Sequence, residues 1–282
     1  MKKKNATLAT RIQHFALQQI NQASTYLTDA SYDTDLAIHE TRRCLKRLRA
    51  VLRLVKAGLK SKVYVRSNRY FRDQGRLLSA LRDATVMQTT LAKLRKQSAR
   101  ALPASSWKML RQELAAHSQT NNKKKVMATV AAQLGIARDL IENWNLELAD
   151  ETQLRRALRK TYRNNKRAMK QALAAPTVKN WHEWRKQINH LRYQLTILRD
   201  LKLISARDFL GDCKALAQIL GLNNDLAVLS HHLPPPEKPG TQPIVQQLIQ
   251  TEQSTFTNDA TRLGQQLYKQ TPKAFLNRIW PV

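Results

Sequence analysis

The chain has 282 residues, of which 42% are hydrophobic, so it is expected to fold around a sizeable core rather than stay disordered. Its 49 lysines and arginines against 20 aspartates and glutamates give a formal net charge of +29, far more than a soluble surface needs. Two cysteines exclude a disulfide framework, and no apolar run is long enough to cross a membrane.

The cellular location follows from the same features. The N-terminal Met-Lys-Lys-Lys imitates the start of a signal peptide, but Arg11, Gln13 and His14 interrupt the apolar segment that should follow. The few cysteines favour a reducing compartment. The sequence therefore predicts a cytoplasmic protein. Because no cysteine–histidine cluster has the spacing of a zinc site, it predicts neither a metal nor a cofactor.

Apolar residues recur at three- and four-residue spacing almost throughout, which predicts an all-α fold. In chain order, helices are predicted at residues 7–27, 35–57, 62–81, 83–97, 103–117, 126–144, 150–174, 180–202, 205–220, 223–231 and 245–268. Asp35 and Thr177 are the expected caps of two of these helices. Residues 119–125 form a predicted basic linker, and the proline-rich residues 233–240 a predicted exposed loop.

Two segments of the chain repeat one another. Residues 38–49, IHETRRCLKRLR, and residues 181–192, WHEWRKQINHLR, share His-Glu, an arginine, a leucine and a final arginine in register. A second pair, residues 78–86 and 220–228, follows at nearly the same distance. This order predicts an internal duplication within one domain, residues 1–282. Its halves, about 1–122 and 145–282, are joined by the basic linker and a helix at 123–144.

Each repeated helix is predicted to bury one face and to expose a basic face opposite to it. In the first copy, the basic face consists of His39, Arg42, Arg43, Lys46, Arg49 and Arg53. In the second copy, the corresponding face consists of His182, Arg185, Lys186, Asn189, Arg192 and Tyr193. No acidic residue is expected to neutralise these faces, since Glu40 and Glu183 are assigned to the helix starts, where the helix dipole favours them. Stacked like charges destabilise a helix, so the duplicated pattern indicates an anionic ligand.

Further basic residues are expected to extend this surface. A third basic face, on the helix at 151–174, consists of Arg155, Arg159, Arg163, Lys166 and Lys170. The helices that follow the two histidine-led ones contribute Arg72, Arg76 and Lys214. Arginine holds phosphate oxygens with two parallel hydrogen bonds and lysine adds point charge, so a long polyanion is the partner that needs so many of these groups.

The two leading histidines leave two roles open. Surrounded by cations, His39 and His182 are both biased toward the neutral form. Each would fit either as a hydrogen-bond donor to a phosphate or as a group that orients a neighbouring side chain. A catalytic role is disfavoured because no nucleophile or carboxylate partner stands at a repeated position.

Three classes of function are compatible with a polyanion-binding charge pattern. The first is a polyphosphate-binding protein, attached to polyphosphate granules. The alternative is a nucleic-acid-binding protein, whose electrostatics would look alike, although only 17 aromatic residues and no recognised reading motif occur. The third is a phosphate-transfer or hydrolytic enzyme, which needs magnesium-binding carboxylates or a glycine-rich phosphate loop. The chain offers neither, so it is predicted not to be an enzyme.

The helix His-x-x-Arg-[Arg/Lys]-x-[Leu/Ile]-x-x-Leu-Arg, present twice, resembles the CHAD family, the conserved histidine α-helical domain. Residues 78–86, 220–228 and 158–163, with Pro176 ahead of the second copy, are similar to the family too, so the resemblance covers nearly the whole chain. It implies two four-helix-type bundles related by pseudo-twofold symmetry. It also implies that their basic helices line a central groove or cavity that binds inorganic polyphosphate.

Carried over by position, the resemblance implies a binding set on both histidine-led helices, namely His39, Arg42, Arg43, Lys46, Arg49, His182, Arg185 and Lys186. Asn189 and His190 stand where the first copy has Lys46 and Arg47, so weaker binding by the second half is expected. Some members of the family carry a fused triphosphate-tunnel domain marked by a Glu-x-Glu-x-Lys strand. No Glu-x-Glu pair occurs in this sequence, and no such domain is expected.

Overall fold

The computed structural model describes residues 6–116, 123–233 and 241–280, and its regular structure in these ranges is entirely helical. The predicted all-α class is therefore confirmed. The helices are α1 Leu8–Thr28, α2 Thr34–Leu54, α3 Ser61–Gln97, α4 Ala104–Ala116, α5 Lys123–Glu142, α6 Thr152–Ala174, α7 Val178–Asp200, α8 Arg207–His232, α9 Thr241–Leu267 and α10 Pro272–Ile279. Residues 119–122 of the predicted linker and residues 234–240 of the predicted loop lie outside the described residues. The linker prediction is wrong for residues 123–125, which form the first turn of α5.

Side-chain caps fix the starts of the two histidine-led helices. Thr177 caps α7 as predicted, and its hydroxyl accepts a hydrogen bond from the backbone N–H of Asn180 at 3.2 Å. The predicted cap of α2 was wrong by two residues. Asp33 takes that role, because its carboxylate accepts hydrogen bonds from the backbone N–H groups of Asp35 and Leu36, at 3.0 and 3.1 Å.

Two predicted breaks do not exist, since α3 and α8 each run on as one helix. In α3, Leu78 and Leu81 pack in one hydrophobic core before the expected break and Met87 packs in another after it, so the helix is buried on both sides of that point. In α8, Leu220 and Leu226 are buried on the two sides of the expected break in the same way, each in a different core. Local cap preferences at these points are overruled by burial. The short helix α10 was missed, although Thr271 caps it and proline stands at its first position, a recognisable start signal.

The helices pack in two groups. α1, α2, α3 and α5 contact one another, as do α6, α7, α8 and α9, with α10 against α6. The groups meet where α2 packs against α7 and α3 against α8. One hydrophobic core, with members from Ile12 on α1 to Trp280 after α10, extends through both groups. A smaller core around Trp107 joins the far ends of α3 and α8 to α4 and α9. The internal duplication itself, and the boundaries of its halves, stay predictions.

The contact between α7 and α9 is unusually close at one position. A Cβ atom placed on Gly264 would lie 2.5 Å from the ring of Trp184, and 3.0 Å from the sulfur of Met169. Trp184 is fully buried and belongs to the core stripe of α7. Glycine therefore allows α9 to approach the helix that carries half of the basic residues described below.

The two cysteines lie inside the core. Cys44 on α2 and Cys213 on α8 are both free thiols, and both are buried. Burial raises the pKa of the Cys44 thiol to about 11 and that of Cys213 further above its usual range.

Candidate functional site

The contact between α2 and α7 turns the basic faces of both helices into one cavity of about 780 Å³. α3 and α8 supply its other walls. Thirteen of the sequence-predicted residues line it: His39, Arg42, Arg43, Lys46, Arg49, Arg53, His182, Arg185, Lys186, Asn189, Arg192, Tyr193 and Lys214. The two faces therefore form one continuous basic surface.

The basic face of α6 does not belong to this surface, which corrects the expectation that it adds to the same site. The five predicted residues Arg155, Arg159, Arg163, Lys166 and Lys170 are all absent from the cavity wall. α6 buries Leu154, Leu158 and Tyr162 against the core and packs on α7, so its basic face is left on the outer side. Arg155 instead lies over the ring of Trp280, at 4.8 Å.

Arg72 and Arg76 also lie outside the cavity wall. Both flank Asp73, at 2.8 and 3.8 Å respectively. They nevertheless lie close to the cavity. Burial first and then the charge of Arg72 lower the pKa of Arg49, which lines the cavity, and Arg76 acts in the same direction. The two arginines are therefore neighbours of the site rather than part of its wall.

Several lining residues were missed by sequence analysis, namely Arg82, Lys93, Gln218 and Asp225. His190, noted in the sequence only as a departure from the first copy, lines the cavity as well. Arg82 and Asp225 belong to the second pair of repeated segments, so the repeat itself carried a signal for them. Lys93 had no such signal, because only the unbroken course of α3 brings it to the cavity.

His39 is held by a neighbouring arginine. Its Nδ1 contacts the guanidinium Nη1 of Arg82 on α3. Because a guanidinium can only donate, Nδ1 must accept, and the neutral ring carries its proton on Nε2. Burial, with the charge of Arg82 as the next cause, lowers the pKa of His39. His39 therefore offers an N–H donor at Nε2.

His182 contacts the position of α8 that aligns with Arg82 in the repeat. Its Nδ1 lies 2.8 Å from the Oδ1 of Asn224. An amide oxygen can only accept, so Nδ1 donates, and Nε2 of the neutral ring is an acceptor. The two histidines thus occupy equivalent places in the repeat, but the neutral ring of His39 carries its proton on Nε2 and that of His182 on Nδ1. Each imidazole contacts a neighbouring side chain through its Nδ1. Orienting such a neighbour is one of the two roles that the sequence left open.

The glutamates that follow the histidines are not merely dipole partners, which corrects a further expectation. Both carboxylate oxygens of Glu40 lie 2.7 Å from Nη1 of Arg43. Glu183 forms the matching ion pair with Lys186. Each histidine-led helix therefore carries an internal counterion for one basic residue of the cavity.

One carboxylate, that of Asp225, stands in the cavity wall among the described residues. Its Oδ1 lies 3.9 Å from Nη2 of Arg185. Burial raises the pKa of Asp225, and Arg185 opposes that shift. Burial also lowers the pKa of Arg185. Asp225 is thus one carboxylate among eleven lining lysines and arginines.

The close approach of the lining cations lowers the pKa values of several of them. Burial and the guanidiniums of Arg42, Arg185, Arg82 and Arg192 lower the pKa of Lys46 to about 7. Lys46 keeps solvent-exposed surface, so water offsets part of the cost of burying its charge. The repulsion between Lys46 and the four guanidiniums is the part that a bound anion would remove.

Two further groups deeper along the same wall are affected in the same direction. Burial and Arg49 lower the pKa of Arg53 to about 10. Burial, with Arg53, Arg49 and Lys186, lowers the pKa of His190 to about 2, so its imidazole is neutral at physiological pH. The cavity holds its positive charge at a cost that an anionic ligand would relieve.

In the described ranges, no group of three or more histidine, cysteine or acidic residues is arranged to hold a metal ion. Across the same ranges, every helix is too short or too polar to cross a membrane.

Comparisons with known proteins place this architecture. The CHAD domain family model matches residues 14–234. PptA from Streptomyces chartreusis has a similar structure, with a TM-score of 0.64 and 16% sequence identity over 94% of this chain and 100% of that one. The CHAD domain from the plant Ricinus communis gives a TM-score of 0.51 and 18% identity over 90% of this chain and 88% of that one. No curated protein matches the sequence.

The family match includes both histidine-led helices and most of the cavity wall, and the two solved structures share the all-helical fold. The chain therefore belongs to the CHAD domain family.

Proposed function

We propose that this chain binds inorganic polyphosphate in the basic cavity between α2 and α7. The observation that carries the proposal is the composition of the cavity wall. Among the described residues, eleven lysines and arginines line it against one carboxylate, Asp225. Along α2 these cations recur about once per helical turn, which suits a ligand with charge repeated along its length. CHAD family membership supports the same ligand.

The wall fits an inorganic chain better than a nucleic acid. Tyr193 is the aromatic residue of the wall in the described part of the chain, and it is 7% exposed. The guanidinium of Arg192 lies over its ring at 4.6 Å. The ring of Tyr193 is therefore not free for a base to stack on, whereas phosphate groups find guanidinium and ammonium donors along both α2 and α7.

The proposed activity is binding without turnover. Asp225 is paired with Arg185, and Glu40 and Glu183 are paired with Arg43 and Lys186. These carboxylates serve as counterions rather than as general bases. We propose further that binding places the protein on polyphosphate granules. A stable chain-length distribution of polyphosphate after long incubation with the protein is the expected outcome for a non-enzyme.

The decisive measurement is affinity for long-chain polyphosphate at near-physiological salt, with single-stranded RNA and duplex DNA of equal charge as competitors. The triple variant Arg42→Ala, Arg43→Ala, Arg185→Ala removes three cations from the cavity. A hydrogen bond to a charged group contributes about 1.5–3 kcal/mol, so a loss of affinity of more than about 100-fold is expected.

A matched control exists on α6. The variant Arg159→Ala, Arg163→Ala, Lys170→Ala removes the same charge from exposed positions outside the cavity. It should weaken binding by no more than a few-fold. If the two triple variants lose affinity equally, or if RNA competes as well as polyphosphate does, the positive charge acts as a general polyanion surface and the proposal fails.

A further inference from the structure

A second, uncharged pocket of about 290 Å³ lies beside the basic cavity. α7, α8 and α9 form its walls. Four side-chain amides line it, those of Asn223, Asn224, Gln250 and Gln253, together with the ring of Trp181. Among the described lining residues none carries a formal charge. Its size and chemistry suit a flat, neutral ring with hydrogen-bonding edges better than a phosphate.

The side-chain oxygen of one of these amides is buried without a hydrogen-bond partner. Asn223 is 5% exposed, and its Oδ1 has no hydrogen bond to any described residue. A buried acceptor without a donor costs free energy, so such groups usually indicate a ligand or water in the site. An amide side chain pairs with the amine and ring nitrogen of a purine edge through two hydrogen bonds.

His182 connects this pocket to the basic cavity, because its side chain lines both. With Nδ1 donating to Asn224, the neutral ring turns an acceptor, Nε2, toward ligands. An acceptor repels a phosphate oxygen, but it accepts a hydrogen bond from a hydroxyl group. Inorganic polyphosphate has no such group along its chain, whereas a ribose has two.

We infer that the amide pocket is a nucleobase site, and that the protein binds a nucleoside triphosphate across the His182–Asn224 boundary. The base lies beside Trp181 among the amides, a ribose hydroxyl donates to His182, and the phosphates extend toward Arg185 and Lys186. The inference rests on the proposed function to the extent that the basic cavity takes the phosphates.

The arrangement distinguishes a nucleotide from the two ligands of nearest chemistry. Inorganic triphosphate would use the cavity and leave the amide pocket empty. A free nucleoside would use the pocket but would leave the cations without an anion. A nucleoside triphosphate uses both, and stacking of one base on an aromatic ring alone strengthens binding by about fivefold or more.

The test compares ATP, GTP and inorganic triphosphate by calorimetric titration of the intact protein, without divalent cations. Inorganic triphosphate carries more negative charge than the esterified triphosphate, so electrostatics alone would favour it. We expect at least one of the two nucleotides to bind about fivefold or more tightly than triphosphate. Equal or weaker binding of both nucleotides overturns the inference.

Two variants assign the difference to the pocket. Asn223→Leu keeps the branched shape of the side chain and removes the amide, and Gln250→Ala changes an exposed residue, so both should fold. Each is expected to reduce the nucleotide affinity toward that of triphosphate and to leave triphosphate binding unchanged. Gln247→Ala, an exposed amide of α9 outside the pocket wall, is the matched control and should change neither.

The outcomes separate this inference from the proposed function. If long polyphosphate binds and the nucleotide preference is absent, or if it survives both pocket variants, only the nucleobase site is wrong. If neither polyphosphate nor triphosphate binds, both proposals fall. If Asn223→Leu weakens triphosphate and nucleotide equally, Asn223 supports the wall of the cavity and the pocket reads no base.

Discussion

At the scale of single residues, the cavity places a lysine whose pKa is lowered beside arginines that stay charged. Lys46 has a pKa of about 7, and the four guanidiniums that repel its charge come from three helices, α2, α3 and α7. A polyanion in the cavity would favour the charged form of Lys46. Binding should therefore take up a proton whenever Lys46 begins neutral, and the affinity becomes dependent on pH.

The sign of this dependence follows from the lowered pKa of Lys46. Below pH 7 Lys46 is already charged, so affinity for long polyphosphate should be nearly constant there. Above pH 7 the affinity should fall, by up to about tenfold per pH unit for one linked proton. Burial lowers the pKa of both His39 and His190 from the usual 6.5, so neither imidazole accounts for a fall in affinity above pH 7. Titration at pH 6.0 to 8.5 measures the slope.

The variant Lys46→Gln identifies the proton. It should bind more weakly at pH 6.5 and lose most of the slope above pH 7. Lys170→Gln removes a lysine on the exposed face of α6 and should keep the slope of the unmodified protein. A slope that persists in Lys46→Gln would assign the proton to another group.

At the scale of helices, sequence periodicity identifies the faces, but not how the faces meet. The basic faces of α2 and α7 could be predicted because residues three and four apart share one side of a helix. The pattern on α6 was equally regular, yet α6 packs with that face outward. The rotation of a helix about its axis depends on partners distant in sequence. For the same reason Lys93 was missed, since its place depends on α3 continuing past Leu81.

The close approach of α9 to α7 makes a prediction about stability. Gly264→Ala would force a methyl group against Trp184 and Met169, and overpacking of this kind costs about 1–3 kcal/mol. Gly135→Ala on α5, where no atom lies within 4 Å of the new methyl group, should instead stabilise by roughly 0.5–1 kcal/mol through helix propensity. Urea denaturation measures both changes. Equal effects of the two substitutions would contradict the close packing.

At the scale of the whole molecule, a net charge of +29 makes the folded state repel itself. The cavity concentrates this repulsion, because its cations come from two packed groups of helices that its charge tends to separate. A bound polyanion would contact cations of both groups of helices and turn the net repulsion between the groups into an attraction through the ligand. Stability and binding should therefore be linked through electrostatics.

Thermal denaturation tests that link. Without ligand, raising the salt concentration from about 50 to 500 mM should raise the Tm, because salt screens the repulsion. Polyphosphate at about 100 times its Kd should stabilise the protein by about 2.7 kcal/mol, and this gain should shrink as salt rises. A Tm that falls with salt in the free protein would mean that attractive ion pairs outweigh the repulsion.

The buried position of both cysteines has a practical consequence for labelling. A maleimide reacts with the thiolate form of an accessible cysteine. Cys44 and Cys213 are buried and their raised pKa values disfavour the thiolate, so neither should react. A cysteine introduced at an exposed position, such as Gly211 at the start of α8, would thus be the single reactive thiol of an otherwise unmodified chain. Fluorescent dyes can be attached at chosen positions while the native thiols stay in the core.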